Sequence, residues 1–231
     1  MSHTGHTGAA REHEVQIPSG EAVLEGELGV PAGAGGIVLF AHGSGSSRHS
    51  PRNQFVARTI REANVGTLLF DLLTREEESV DIYTRHLRFD IGLLARRLVD
   101  ATNWVKREAD LWHLRIGYFG SSTGGGAALV AAAELGESIG AVVSRGGRPD
   151  LAGSEALRRV TAPTLLIVGG SDEPVIEMNE EAYAWLRCEK ELKIVPGATH
   201  LFEEPGKLEE VARLAAEWFR RHLQSQSSVA S

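Results

Sequence analysis

Gly120-Ser121-Ser122-Thr123-Gly124 sets a serine between two glycines, each two residues away. That spacing suits a nucleophile. A sharp strand-to-helix turn lifts the serine Oγ clear of the backbone, and the glycines permit the close backbone approaches such a turn needs. A helix beginning just beyond the serine favours developing negative charge. In a chain with 26 glycines the pentapeptide alone is a weak signal. Its flanks strengthen it: residues 115–119 (Arg-Ile-Gly-Tyr-Phe) read as a short buried strand, and residues 125–133 as a tightly packed helix of small residues.

A serine hydroxyl is a poor nucleophile at neutral pH, so it requires an adjacent base and an acid that orients the base. The elements that must position them come from the alternation of apolar runs and helical patterns after the first thirty residues. This alternation predicts an α/β fold, a mostly parallel sheet of about eight strands with helices on both faces. Residues 14–17 and 23–30 read as two antiparallel strands turned at Pro18-Ser19-Gly20. Strands follow at 36–41, 67–70, 115–119, 141–144, 164–168 and 192–195. Helices are expected near 53–62, 89–108, 125–133, 154–160 and 179–186, and residues 208–219 present one apolar face of a terminal amphipathic helix. The charged stretch 74–90 reads as a solvated connection that could overhang a pocket as a partial lid.

In such sheets, functional residues gather in the loops at the carboxyl ends of the strands. After residues 164–168 comes Gly169-Gly170-Ser171-Asp172, and after 192–195 comes Pro196-Gly197-Ala198-Thr199-His200. The candidates are therefore Ser122 as nucleophile, His200 as general base and then acid, and Asp172 as the group that fixes the tautomer of His200. Two backbone N–H donors must face the developing oxyanion. Thr123 supplies one; Ser44, in His42-Gly43-Ser44-Gly45-Ser46, supplies the other, with Gly45 the choice if the loop is offset by one. His42 competes as the base, but its place in a His-Gly pair suits a loop-holding role.

Arg48, Arg145 and Arg148 follow strands at this end of the sheet and could dock a substrate carboxylate or phosphate. The competing reading is structural ion pairing, for example Arg148 with Asp150. Gly124-Gly125-Gly126 fails the register of a phosphate-cradling loop, so no nucleotide site is expected. His3, His6 and His13 do not form a convincing metal site. The expected chemistry calls for no metal and no cofactor.

At 231 residues, with 42% hydrophobic and 24% charged residues, one α/β domain is expected over 14–223, with a flexible leader at 1–13 and a disordered tail at 224–231. A net charge of −7 argues against nucleic acid or an anionic membrane as a partner. The leader lacks an apolar signal core, and Cys188, the single cysteine, excludes an internal disulfide; together they suggest a cytoplasmic protein. A monomer or homodimer acting on a small molecule is expected.

With these residues assembled, the chain resembles the α/β-hydrolases, and most of all the small, capless dienelactone hydrolase-like branch. The His-Gly loop, the Gly-x-Ser-x-Gly turn, Gly169 to Asp172 and the late His200 carry the resemblance, which covers about residues 23–223. It implies an α/β-hydrolase fold without a large cap domain, since few residues separate 141–144 from 164–168. It also implies hydrolysis of small or medium carboxylic esters or lactones through an acyl-serine. The name-giving dienelactone hydrolases carry a cysteine nucleophile where this chain has Ser122, so the resemblance extends to ester cleavage rather than to dienelactone as substrate. A non-catalytic small-ligand-binding protein and an acyltransferase using the same triad are the alternatives.

Overall fold

The run Gly36–Ala41 is buried along its whole length, because a strand covered on both faces has no solvent side to make polar. Its residues alternate between two cores. Ile37 and Leu39 face one apolar cluster, Val38 and Phe40 the other. This strand, β3, lies within an eight-stranded sheet of order β1-β2-β4-β3-β5-β6-β7-β8. The computed structural model describes residues 12–224. The strands are β1 (Glu12–Ser19), β2 (Ala22–Gly29), β3 (Gly36–Ala41), β4 (Gly66–Phe70), β5 (Arg115–Ser121), β6 (Ile139–Arg145), β7 (Thr164–Gly169) and β8 (Lys190–Val195). The β1–β2 and β2–β4 pairs are antiparallel, and all pairs from β4 through β8 are parallel.

Two helices, α1 (Pro51–Glu62) and α7 (Lys207–Leu223), cover the Val38/Phe40 face. On the Ile37/Leu39 face lie α3 (Ile91–Arg107), α4 (Thr123–Leu135), α5 (Gly153–Arg159) and α6 (Glu173–Trp185). Only α5 and a short 3-10 turn at Pro149–Ala152 separate β6 from β7, so no cap domain is inserted there. The fold is the capless α/β-hydrolase architecture expected from the chain.

Two boundaries and one element differ from expectation. The first strand starts at Glu12, because both it and His13 pair with the end of β2; the earlier leader residues and the tail beyond Gln224 lie outside the described residues. Helix α6 begins directly after Asp172, with Pro174 in its first turn, where a fixed φ and a missing N–H cost nothing. The charged stretch 74–90 is not simply a connection. It forms α2 (Arg75–Thr84), whose start is closed by a reciprocal capping box: Thr74 accepts the Glu77 N–H, and Glu77 accepts the Thr74 N–H.

Candidate active site

Ser122 stands between β5 and α4 at φ 49°, ψ −121°, a conformation that an L-residue keeps only when its surroundings impose it. The packing supplies that constraint. A Cβ at Gly120 would fall 2.5 Å from the Gly124 carbonyl oxygen, and one at Gly124 would collide with the Ala41 carbonyl at the end of β3. Ser122 occupies the N-cap position of α4 yet makes no side-chain cap bond, so its Oγ remains unspent. Its N–H donates to the Arg145 carbonyl and its carbonyl accepts the Arg148 N–H, tying the turn to the end of β6.

Asp172 sits just past β7 at the N-cap of α6, and it too declines the capping role. Its Oδ2 lies 2.7 Å from His200 Nδ1 instead. A carboxylate only accepts, so the imidazole carries its proton on Nδ1 and presents the Nε2 lone pair. His200 follows β8, and its ring lies over Gly146, the residue after the Arg145 carbonyl that holds Ser122. The ends of β5, β7 and β8 thus bring Ser122, Asp172 and His200 to one rim of the sheet. Among the described residues no hydrogen bond joins Ser122 Oγ to His200, a contact that commonly tightens only around bound substrate.

The loop after β3 lies against the turn: a Cβ at Gly43 would come within 3.2 Å of Ser122 Cβ, and Ser44 Oγ is 3.1 Å from Thr123 Oγ1. Among the described residues neither the Ser44 nor the Thr123 N–H meets an acceptor. Both ring nitrogens of His42 are engaged. Its Nδ1–H donates to the Gly43 carbonyl and its Nε2 accepts the Leu72 N–H, both at 2.9 Å. Burial pushes its pKa below the usual histidine value, against the smaller upward pulls of the Gly43 carbonyl and Asp71. It holds the loop in place.

A pocket opens beside Ser44 and Thr123, lined also by Leu72, Leu73, Leu94, Glu78 and Arg88. The last two come from the 74–90 stretch, which therefore forms part of the wall of this pocket. Arg88 is fastened by Asp81, fully buried, which accepts from its Nε at 2.6 Å and from the Leu87 N–H. The Arg88 carbonyl in turn accepts the Ser44 hydroxyl. Glu78 and Arg88 were not singled out within the charged stretch; the Thr74–Glu77 capping box was the signal that would have put Glu78 on a helix, whereas Arg88 lies past its end in the turn Leu87–Phe89.

The three arginines divide. Arg48 is buried and pairs with Asp71 and with Glu25, the latter at 2.8 Å. Arg148 grips Asp150 through two bonds of 2.9 and 2.7 Å. Both are engaged in ion pairs, the arrangement described by the competing structural reading of them. Arg145 points away from the pocket, toward the α1/α7 face, with its guanidinium 6.0 Å from the Phe119 ring centre. The glycines 124–126 pack against the Ala41, Ser144 and Arg148 atoms that face them, leaving no cradle for a phosphate. Among the described residues no cluster of His, Cys, Asp and Glu is arranged to hold a metal, and no helix is long and apolar enough to cross a membrane.

Comparison with known proteins agrees with this architecture. Two Mycobacterium tuberculosis proteins (strains CDC 1551 / Oshkosh and ATCC 25618 / H37Rv), each carrying the name "Putative phosphoribosyl transferase", are 57% identical over 213 residues, covering 92% of this chain and 47% of theirs. The chain therefore spans about half the length of the curated relatives it matches. The dienelactone hydrolase of Anabaena variabilis superposes with a TM-score of 0.92 at 62% identity, over 94% of this chain and all of that one. A serine hydrolase without a lid from Xanthomonas campestris shares the fold at 20% identity, with a TM-score of 0.74 over 93% of this chain and 96% of its own. Residues 60–226 match the dienelactone hydrolase family, and on that match, with the rim geometry above, the chain belongs to this family of hydrolases.

Proposed function

We propose that the protein is a serine esterase that cleaves small or medium carboxylic esters, lactones included, through an acyl-serine. The observation that carries this reading is the pair of N-cap residues whose side chains do not cap: Ser122 with a free Oγ and Asp172 bound to His200 at 2.7 Å. In the proposed reaction His200 Nε2 takes the Ser122 proton as Oγ attacks the ester carbonyl. The Ser44 and Thr123 N–H groups receive the oxyanion, and Asp172 supports the imidazolium that forms. His200 then protonates the departing alcohol, and in the second half activates water to release the acid. The mechanism requires no cofactor. The shallow pocket, apolar at Leu72, Leu73 and Leu94, suits a short acyl group.

The transferase name borne by the mycobacterial relatives belongs to proteins about twice as long as the stretch they share with this chain. Transfer of the acyl group to an acceptor other than water would use the same acyl-serine. We infer a cytoplasmic protein, monomeric or homodimeric, acting on a small-molecule ester rather than on nucleic acid or membrane. A fluorophosphonate probe with mass-spectrometric mapping tests the reading. Labelling at Ser122 that disappears in Ser122→Ala and falls sharply in His200→Ala supports it; an unlabelled, folded protein refutes it. Hydrolysis of p-nitrophenyl esters of increasing chain length then reads the acyl preference.

A further inference from the structure

Three arginines are buried among the described residues, and they are treated unequally. Arg48 and Arg97 each bind carboxylates, Asp71 and Glu25 for the first and Glu77 for the second. Arg145 has no such pair; its guanidinium faces only the Phe119 ring. It is 7% exposed, its Nε and Nη1 are out of contact with solvent, and neither has a hydrogen-bond partner. Burial and then the nearby Arg52 guanidinium push its pKa down to about 10, so it remains charged at neutral pH. A buried charge without a counter-charge is expensive, and orphaned buried donors call for a missing partner.

Among the described residues the surroundings supply one carboxylate, the exposed Glu203, and it reaches Arg52 rather than Arg145. Arg52 lies in the first turn of α1, its own Nε is buried and unpartnered, and its Nη1 reaches only Glu203, at 3.3 Å. That turn contains no acidic residue, and its N-cap, Ser50, makes no side-chain cap bond. A helix start favours negative charge, so a cationic side chain there adds to the imbalance. The neighbouring Asn53 accepts the Ser121 hydroxyl at 3.4 Å, and Ser121 is the register partner of Arg145, so the first turn of α1 adjoins the Arg145 end of β6. Phe202 and Ala198, from the loop that carries His200, pack into the same core.

We propose that Arg145 and Arg52 form a binding site for a small oxyanion, a phosphate or carboxylate group, beneath the loop that carries His200 and on the opposite side of the nucleophile turn from the substrate pocket. The anion accepts from the orphaned guanidinium nitrogens and neutralises the excess positive charge at the start of α1. This site is independent of the esterase reading, since neither arginine faces the pocket beside Ser44.

The test is thermal unfolding and calorimetric titration of the full chain with sodium phosphate and, separately, sodium acetate, against sodium chloride at equal ionic strength. The expected result is saturable stabilisation by one or both oxyanions, retained in Ser122→Ala, with the stronger of the two naming the group. Arg52→Gln is expected to weaken that binding by about tenfold or more, and Arg145→Met to abolish it. If Arg145→Met does not fold, Arg52→Gln decides alone, because Arg52 is partly exposed and makes only the Glu203 contact. No saturable effect of either anion on the wild-type chain, or an effect undiminished in Arg52→Gln, overturns the proposal.

Discussion

On one side of the cleft the Ser122 turn is held by backbone against backbone: Gly120 against Gly124, Gly124 against the end of β3, and Ser122 bonded through its own N–H and carbonyl to the Arg145–Arg148 segment. On the other side, α2 and the turn after it are held by charge. Arg97 joins Glu77 and the Leu72 carbonyl, Arg88 joins Asp81, and Arg48 joins Asp71 and Glu25. Backbone packing of this kind cannot be adjusted by pH or salt, and it places a nucleophile to a fraction of an ångström. Ion pairs hold a wall that can loosen without disturbing the chemistry. Ser122 sits on the first kind of support, and Glu78 and Arg88, which line the pocket from the other side, sit on the second.

Substitutions should separate these two supports. The largest effect is expected from Ser122→Ala and His200→Ala, which should lower kcat/KM on a p-nitrophenyl ester by about 10⁴-fold or more with little change in unfolding temperature. Gly124→Ala should cost about 3 kcal/mol of stability in denaturant titrations, at the upper end for overpacking, because the added methyl meets backbone that cannot turn aside. A fully stable Gly124→Ala protein would show that this wall yields as readily as the other.

On the charged wall, Glu77→Gln should destabilise by about 2 kcal/mol, leaving the buried Arg97 guanidinium without its counter-charge. It should raise KM more than it lowers kcat, since Glu78 of α2 lines the pocket while Ser122, Asp172 and His200 lie on other elements. Acid should act on the same wall. Burial raises the pKa of Asp81 and of Glu77, but the arginine bonds and the backbone N–H bonds outweigh it, and both carboxyls end below their usual values. A depressed folded-state pKa contributes stability that is present above the unfolded value and is lost as pH falls through the folded one. Limited proteolysis below about pH 4 should therefore cut within 74–90 before the sheet unfolds. The smallest effect is expected from Arg148→Ala, whose partly exposed pair with Asp150 should be worth under about 1 kcal/mol in urea titration.

Much of the reacting side was legible in the chain itself. Continuous apolar runs mark strands that are buried on both faces, and the residues just past their carboxyl ends must meet at one rim whatever the strand order. That is why Ser122, Asp172 and His200 could be named from spacing, and why the small residues after Ser122 announced a close-packed helix. Helix α2 was hidden because its interior offers no apolar stripe; Asp81 is its one buried residue, and only the capping box at Thr74 and Glu77 marks it locally.

What only the tertiary structure decided is which charge meets which. Arg48 finds Glu25 and Asp71 because the order β2-β4-β3 lays distant segments side by side, and no local pattern encodes that order. Arg145 looked like the other arginines in sequence. Its side chain turns to the face opposite the pocket because side chains alternate along a strand, and the packed α1 and α7 leave it buried there without a carboxylate. Local chemistry is written in residue type and spacing; the balance of buried charge depends on long-range register, and only the folded sheet sets it.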